Sequence, residues 1–249
     1  MRRRLLGWGT LLALLLIWEA AYWLGLFNPL FLSAPSLVGE AAVDLFRDGF
    51  LYDVWVSLSE FVVGMAIALA IGVPLGLLLG TSRTLHDAFD PLLTIMNSMP
   101  RAALLPLILL WFGLGMTSKI VVVVLGAVFP ILLNVITGMR TLDEQLVRCA
   151  RSFGATRRQI TLTIGLPSTV PYLAAGVRMG IGRALISVVV AEMLASQAGI
   201  GHMMSYAAVT FQTEKIFVGV ALIAAFGVVS NTALSALERR LGRWRGARD

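Results

Sequence analysis

The chain has 249 residues, of which 58% are hydrophobic and only 14% charged, with a net charge of +6 and a mean hydropathy of +0.85. Soluble domains carry roughly 25% charged residues, so this balance points to a chain that crosses a membrane several times. One cysteine, Cys149, excludes a disulfide framework, and two distant histidines, His86 and His202, argue against a histidine metal site. The basic balance sets topology in such a chain and does not signal nucleic-acid binding.

A spanning helix needs about 20 mostly apolar residues. Six segments meet this, at about 5–27, 57–80, 91–113, 119–139, 171–195 and 215–237. The first follows Met1-Arg2-Arg3-Arg4 but has no small-residue cleavage site after it, so it is expected to be an uncleaved span. Residues 28–56 hold Asn28-Pro29 and Ala34-Pro35, then Leu37, Val38, Ala41 and Leu45 at helical apolar spacing. They are expected to form either an interfacial helix or a plain linker. Gly72, Gly76 and Gly80 recur every four residues and predict a close-packing face. Pro74 and Pro130 predict kinks.

Span three contains Pro100, Arg101 and Pro106. Proline removes a backbone donor, and freed carbonyls within a membrane are tolerated where they face protein or a wet cavity. This span is therefore expected to be a broken helix lining a path, with Arg101 facing it. Asn134 in span four is a secondary polar candidate.

Segment 140–168 differs from its surroundings. Thr141-Leu142-Asp143-Glu144 reads as a capping box, followed by an apolar stripe at Leu142, Leu146, Ala150 and Phe153. Gly154 ends that helix, Thr156-Arg157-Arg158-Gln159 offers a second capping box, and Pro167 is expected to stop the second helix. Five arginines between 140 and 158 face Asp143 and Glu144 alone. Two readings stay open on physics: a topogenic basic loop, or a rigid docking knuckle with an apolar ridge.

Span five carries Arg178, Arg183 and Glu192. Arg178 and Glu192 are fourteen residues apart, hence on roughly one helix face and about 21 Å apart along the axis. Arg183 lies about 140° round from Arg178 and is expected to meet a neighbouring span. Glu192 is a candidate for a gate near the outer end; Glu19 and Glu60 read as structural or snorkelling. Residues 196–214, with Gly199-Ile200-Gly201, predict a short capping or re-entrant helix.

Orientation follows from lysine and arginine placement. With the N-terminus inside, fourteen of the twenty fall in inside segments: Arg2, Arg3, Arg4, Arg83, Arg140, Arg148, Arg151, Arg157, Arg158, Arg239, Arg240, Arg243, Arg245 and Arg248. Outside segments hold only Arg47, Lys119 and Lys215. Both termini and segment 140–168 are therefore expected in the cytoplasm.

The segment resembles the "EAA" loop of bacterial ABC-transporter permeases, E-A-A, three residues, G, nine residues, I-x-L-P. Here Gly154 is followed after nine residues by Ile164-Gly165-Leu166-Pro167, and the triplet reads Arg148-Cys149-Ala150. An arginine at 148 calls for a different partner residue from the usual glutamate. Asp90-Pro91-Leu92-Leu93, Met99-Pro100, Leu105-Pro106-Leu107 and Leu110-Trp111-Phe112-Gly113-Leu114-Gly115 are similar to span three of permeases for nitrate, sulfonate, taurine and related solutes. Gly176-Val177-Arg178, Gly182-Arg183-Ala184, Val190-Ala191-Glu192-Met193 and Ala198-Gly199-Ile200-Gly201 are similar to their fifth span and outer segment.

The resemblance implies an all-α type I importer permease fold, one transmembrane domain over 1–249, in the bacterial inner membrane. It implies pairing with a second permease copy, two ATP-binding subunits and an extracytoplasmic solute-binding protein. ATPase coupling would fall to Arg148, Cys149, Ala150, Phe153, Gly154, Ala155, Arg157, Ile164, Leu166 and Pro167. Pro100, Arg101, Asn134, Arg178, Arg183 and Glu192 are the path candidates. Arg101 and Arg178, read as unpaired, are expected to attract an anionic solute such as a sulfonate or nitrate. The chain has no G-x-x-x-x-G-K-[ST] loop, so ATP and magnesium are expected on partner subunits, with no cofactor or metal here. A secondary transporter driven by an ion gradient is the competing expectation. A membrane enzyme is weaker, for want of a metal cluster or a Ser/His/Asp set.

Overall fold

The computed structural model describes residues 2–28 and 30–241. Met1, Pro29, Arg243, Arg245 and Arg248, which enter the readings above, lie outside the described residues. Among the described residues there are helices and turns and no strand. The helices are α1 (Arg2–Trp23), α2 (Pro35–Arg47), α3 (Leu51–Thr81), α4 (Arg83–Ser98), α5 (Leu105–Phe112) and α6 (Met116–Arg140). They continue with α7 (Glu144–Ser152), α8 (Arg157–Ile160), α9 (Leu166–Ala195), α10 (Ile200–Val209) and α11 (Thr213–Leu241). Leu51–Thr81, Met116–Arg140, the run Arg157–Ala195 and Thr213–Arg239 are long and apolar enough to cross a membrane, and Gly9–Trp23 is a shorter apolar helix. The chain forms two compact units, residues up to Leu58 with Glu192–Ala225, and Ser59–Ala191 with the segment from Phe226.

The second unit is organised around α6, whose apolar window is 61% buried against 11% for α11. The glycine stripe of α3 makes this possible. A Cβ on Gly76 would lie 2.7 Å from Val135 Cβ, and one on Gly80 would lie 2.6 Å from Met139 Cβ. Gly64 and Gly72 meet Val123 and Ile131 in the same way. Small residues at this period let two backbones approach closely, the expected role of the stripe. The pairs 64/123, 72/131, 76/135 and 80/139 keep a constant offset, so α3 and α6 run parallel. Two parallel neighbours require the intervening chain to cross back, and residues 82–115 make that return. On an adjacent face α6 packs against α9 through Gly126 on Ser187, Gly176 on Asn134 and Gly138 on Tyr172, an antiparallel pairing.

The return crossing is not one helix. It stops at Ser98, passes Met99 in an extended conformation (φ −63°, ψ 133°) and resumes as a tight 3-10 turn, Arg101–Leu104, leading into α5. The residue before a proline is pushed out of the helical region, which places the break at Met99 and Pro100. Pro106 falls in the first turn of α5, where its missing N–H removes no helix bond. Leu105 and Ile108 then bury against Val122 and Ala191.

Two expectations about segment 140–168 need correction. Asp143, not Thr141, caps α7: its carboxylate accepts from the Gln145 N–H. Thr141 ends α6 instead, its hydroxyl donating to the Thr137 carbonyl. Pro167 does not stop a helix either. Residues Thr161–Gly165 form one wide π turn, with the Leu166 N–H reaching the Thr161 carbonyl, and α9 continues from there through Pro167. The wider turn shifts the hydrogen-bond register by one residue, so that Pro167 falls in the first turn of the next helical stretch, where proline is tolerated.

Candidate functional site

The side chains singled out by sequence fall into three settings. Lys119, placed above in an outside segment, is buried and forms an ion pair with the fully buried Glu60 at 2.6 Å. Removing charge from water is expensive, and a close partner is what makes it tolerable. Glu60 is therefore a structural residue, held by Lys119.

Glu192 was expected at a gate; the structure encloses it completely and gives it a different job. One carboxylate oxygen accepts from the Ser57 hydroxyl at 2.6 Å, the other from the Gly201 N–H at 2.7 Å. Ser57 in turn accepts from the Ile200 N–H at 2.8 Å, and Asp53 accepts from the Gly199 N–H at 2.6 Å. The first amides of a helix have no partner within it. Here the opening amides of α10 are satisfied by side chains remote in sequence. Gly199 adopts φ +114°, and a Cβ there would collide with the Glu192 carboxylate. Glu19 is likewise structural, accepting from Trp23 Nε1, the Ser36 hydroxyl and the Ser36 N–H.

Arg178 is not unpartnered. Its guanidinium lies 3.4 Å from Glu238 and donates to the Ser235 hydroxyl at 3.2 Å. That pairing across α9 and α11 corrects the expectation that joined Arg178 with Arg101. Asn134 spans one helical turn, donating to the Pro130 carbonyl at 2.8 Å.

Arg101 stands apart. It sits on the 3-10 turn after Pro100, with its Cζ 5.2 Å from the centre of the Phe129 ring, a cation–π arrangement. One terminal nitrogen donates to Asn97 Oδ1 at 3.2 Å, the other weakly to the Gly126 carbonyl at 3.4 Å. That carbonyl is available because Pro130, four residues on, has no N–H to give it. So the proline read as a kink also supplies an acceptor for the arginine. Arg101 Nε is buried with no hydrogen-bond partner.

Beside it lies a cavity of about 270 Å³, whose charged lining groups are Arg101 and Arg183. Ser187 adds a hydroxyl one turn along α9 from Arg183, and Met99, Leu105, Val122, Ile186 and Val190 supply apolar walls. No carboxylate lines it, and among the described residues Arg183 makes no ion pair. Both arginines were path candidates by sequence, but Arg101 was joined there with Arg178; folding places the turn after Pro100 against Arg183 of α9. The i, i+4 spacing of Arg183 and Ser187 was the one local signal.

Segment 140–168 offers the opposite surface. Helix α7 closes with the Gly154 N–H bonded to the Arg151 carbonyl and the Ala155 N–H to the Ala150 carbonyl, with Gly154 at φ +79°. These are the two bonds of a Schellman motif. The capping box at Thr156 and Gln159 starts α8 two residues later. Phe153 is 86% exposed and Leu146 54% exposed, and Arg148, Cys149, Arg151 and Arg157 are exposed around them. Ala150, Ala155, Ile164, Leu166 and Pro167 are half-buried. Gly165 packs against Met139 and Leu142, seating the segment on the end of α6. Arg148 pairs only loosely with Glu144, at 3.7 Å, both well exposed.

Several apolar crossing helices, one of them broken beside a basic cavity, with a rigid polar segment between two of them, define a helical membrane transport subunit. Residues 72–243 match the family of inner membrane components of binding-protein-dependent transport systems. The chain belongs to that family, the ABC-transporter permeases, and is a multi-pass membrane protein with the type I permease fold. It is 33% identical to the taurine transport system permease protein TauC of Escherichia coli, over 98% of this chain and 91% of the relative. It is 31% identical to SsuC of Bacillus subtilis, a permease protein assigned to aliphatic sulfonates, again over 98% of this chain and 91% of the relative. The riboflavin transport system permease protein RibX of Chloroflexus aurantiacus is 34% identical over 94% of this chain and 88% of its own length.

Proposed function

We propose that this chain is the path-forming subunit of an ATP-driven importer for a small anionic solute delivered by an extracytoplasmic binding protein. Two copies of the chain form the path. Each copy presents segment 140–168 to one of two ATP-binding subunits on the cytoplasmic side, where both termini also lie. Closure of the ATPases on ATP draws the two segments together, and the crossing helices rock so that the path opens to the other side, a rigid-body change.

The observation that carries this reading is the exposed pair Phe153 and Leu146 on α7. A soluble loop has no use for a bare phenylalanine on a helix held by a Schellman glycine and a neighbouring capping box. An apolar ridge of this kind fits a groove on a partner, with the arginines as its charged rim. The half-buried Ile164, Leu166 and Pro167 and the contact of Gly165 with Met139 and Leu142 give that ridge a stiff connection to α6 and α9. Names of relatives support a small solute, and taurine and aliphatic sulfonates both carry a sulfonate group. A secondary transporter would draw on acidic groups left over for ion coupling. Glu60 and Glu192 are already engaged, with Lys119 and with the start of α10, which favours the importer.

The test is partner identification. The tagged chain, extracted from its native membrane in mild detergent, should co-purify with a nucleotide-binding subunit, and the Gly154→Asp variant should lose it. A non-glycine residue at this φ costs up to about 1–2 kcal/mol, and an aspartate also sets a negative charge at the C-terminal end of α7, where the helix dipole disfavours it. An abundant, folded wild-type chain with no ATPase attached would remove the importer reading.

A further inference from the structure

The unusual feature of the cavity beside the broken span is an excess of hydrogen-bond donors with nothing to receive them. Arg101 spends one weak bond on the Gly126 carbonyl and one on Asn97, and its buried Nε has no partner. Arg183 faces the same space. Two guanidinium groups repel each other, and proteins ordinarily offset such a pair with a carboxylate; none lines this cavity. Among the described residues the fully buried charges do have partners, as Glu60 does in Lys119 and Glu192 in Ser57 and Gly201. The exception is therefore a local property of this site.

We propose that the cavity is a binding site for a small oxyanion carrying a short apolar body, with Arg101 and Arg183 holding the head and Ser187 donating a third bond. This rests on the importer reading and specifies the solute class it would carry. A guanidinium presents its donors in a planar fork that matches two oxygens of a carboxylate, sulfonate or phosphonate head. The Phe129 ring and the Pro130-freed carbonyl hold the Arg101 plane in place before a ligand arrives. Leu105, Val122, Ile186 and Val190 leave the far wall apolar, suited to methylene groups and not to a second charge. At about 270 Å³ the space is just below the range of drug-sized ligand pockets, which suits a compact solute. The arginine that the structure assigns to the anion with Arg101 is thus Arg183 in place of Arg178.

The same guanidinium pair would also suit the phosphate of a lipid headgroup, and the test separates the two sources. The full chain in phosphatidylcholine nanodiscs is titrated calorimetrically with ethanesulfonate and with ethanesulfonamide, a neutral molecule of nearly the same shape. Ethanesulfonate should bind and the sulfonamide should not. Arg101→Gln and Arg183→Gln should each weaken ethanesulfonate binding by about tenfold to a hundredfold, the range for loss of a charge-assisted hydrogen bond. Arg183→Lys, which keeps the charge and loses the fork, should fall between. Equal binding of the anion and its neutral counterpart by the wild-type chain would overturn the proposal without recourse to any variant. So would ethanesulfonate binding that both glutamine variants retain. Loss of ethanesulfonate binding on adding phosphatidylglycerol would give the site to a lipid headgroup and overturn the solute assignment. ATPase co-purification with a chain that shows no anion preference would remove this site and leave the importer reading standing.

Discussion

Two short helices of this permease, α10 and α7, begin and end by opposite means. The opening amides of α10 are received by Asp53, Ser57 and Glu192, residues 146, 143 and 9 positions away in sequence. Helix α7 relies on its own neighbours: Asp143 at its start and Gly154 at its end, with Thr156 and Gln159 starting the next turn. The first helix is held by the fold, with Ser57 and Glu192 buried and Asp53 half-buried. The second brings its caps with it, and they stand in the open. A segment that must keep its shape while it protrudes is better served by the second arrangement, because no distant side chain has to be in place for its turns to close.

The contrast can be broken most sharply where remote partners hold a charge. Lys119→Met should leave Glu60 as an uncompensated buried carboxylate and lower stability by about 3–5 kcal/mol. Adding Glu60→Leu to the same chain should restore most of the loss, read as the unfolding midpoint in detergent. A chain in which the single change is neutral would mean that the Glu60 and Lys119 pair is not dry. Next in size is Glu192→Ala, which orphans the Gly201 N–H and the Ser57 hydroxyl. It should cost about 3 kcal/mol in local stability, seen as amide exchange at the start of α10 faster by roughly a hundredfold. Exchange in α7 should not move. If it does, the two helices do not differ in the way their caps imply. Thr156→Ala should do the reverse and less: about 1 kcal/mol lost from the capping box, faster exchange at Gln159, and an unchanged global midpoint.

The same difference decides what could be read in advance. Gly154 and the Thr156–Gln159 box lie within a few residues of each other, so the sequence alone displayed them. The Gly72, Gly76 and Gly80 stripe was also legible, because a period of four on a helix is a local pattern. The start of α7 was misplaced by two residues because Thr141 has the Glu144 that a capping box asks for three residues on, whereas Asp143 has Leu146 there. Only the end of α6 determines that Thr141 is already engaged with Thr137. Pro167 was misread because a π turn, a tertiary accommodation, can carry a helix into a proline that local rules would call a stop. The remote partnerships left no local mark. Nothing in Gly199-Ile200-Gly201 names Ser57, and nothing in Lys119 names Glu60. Charge alone could not separate Arg178, which meets Glu238, from Arg183, which meets the cavity. That distinction depends on which helix α9 turns each arginine toward.

The smallest expected effect on stability is the one that bears most on function. Phe153 is 86% exposed and its side chain closes no cap, since the bonds that end α7 come from the backbone of Phe153, Gly154 and Ala155. Phe153→Ala should therefore change the unfolding free energy by less than about 0.5 kcal/mol, the usual scale for a surface position. Aromatic anchors at the centre of an interface carry a disproportionate share of its energy, often about 2 kcal/mol or more when truncated. The variant should then keep its midpoint and its α7 exchange rates yet lose its co-purifying ATPase at ordinary concentrations. Loss of both together would make Phe153 a folding residue and remove the reason for its exposure. Retention of both would shift the contact to Leu146 and the arginines around it. Only an unchanged fold with a lost partner fits a helix whose shape is its own and whose apolar ridge belongs to another chain.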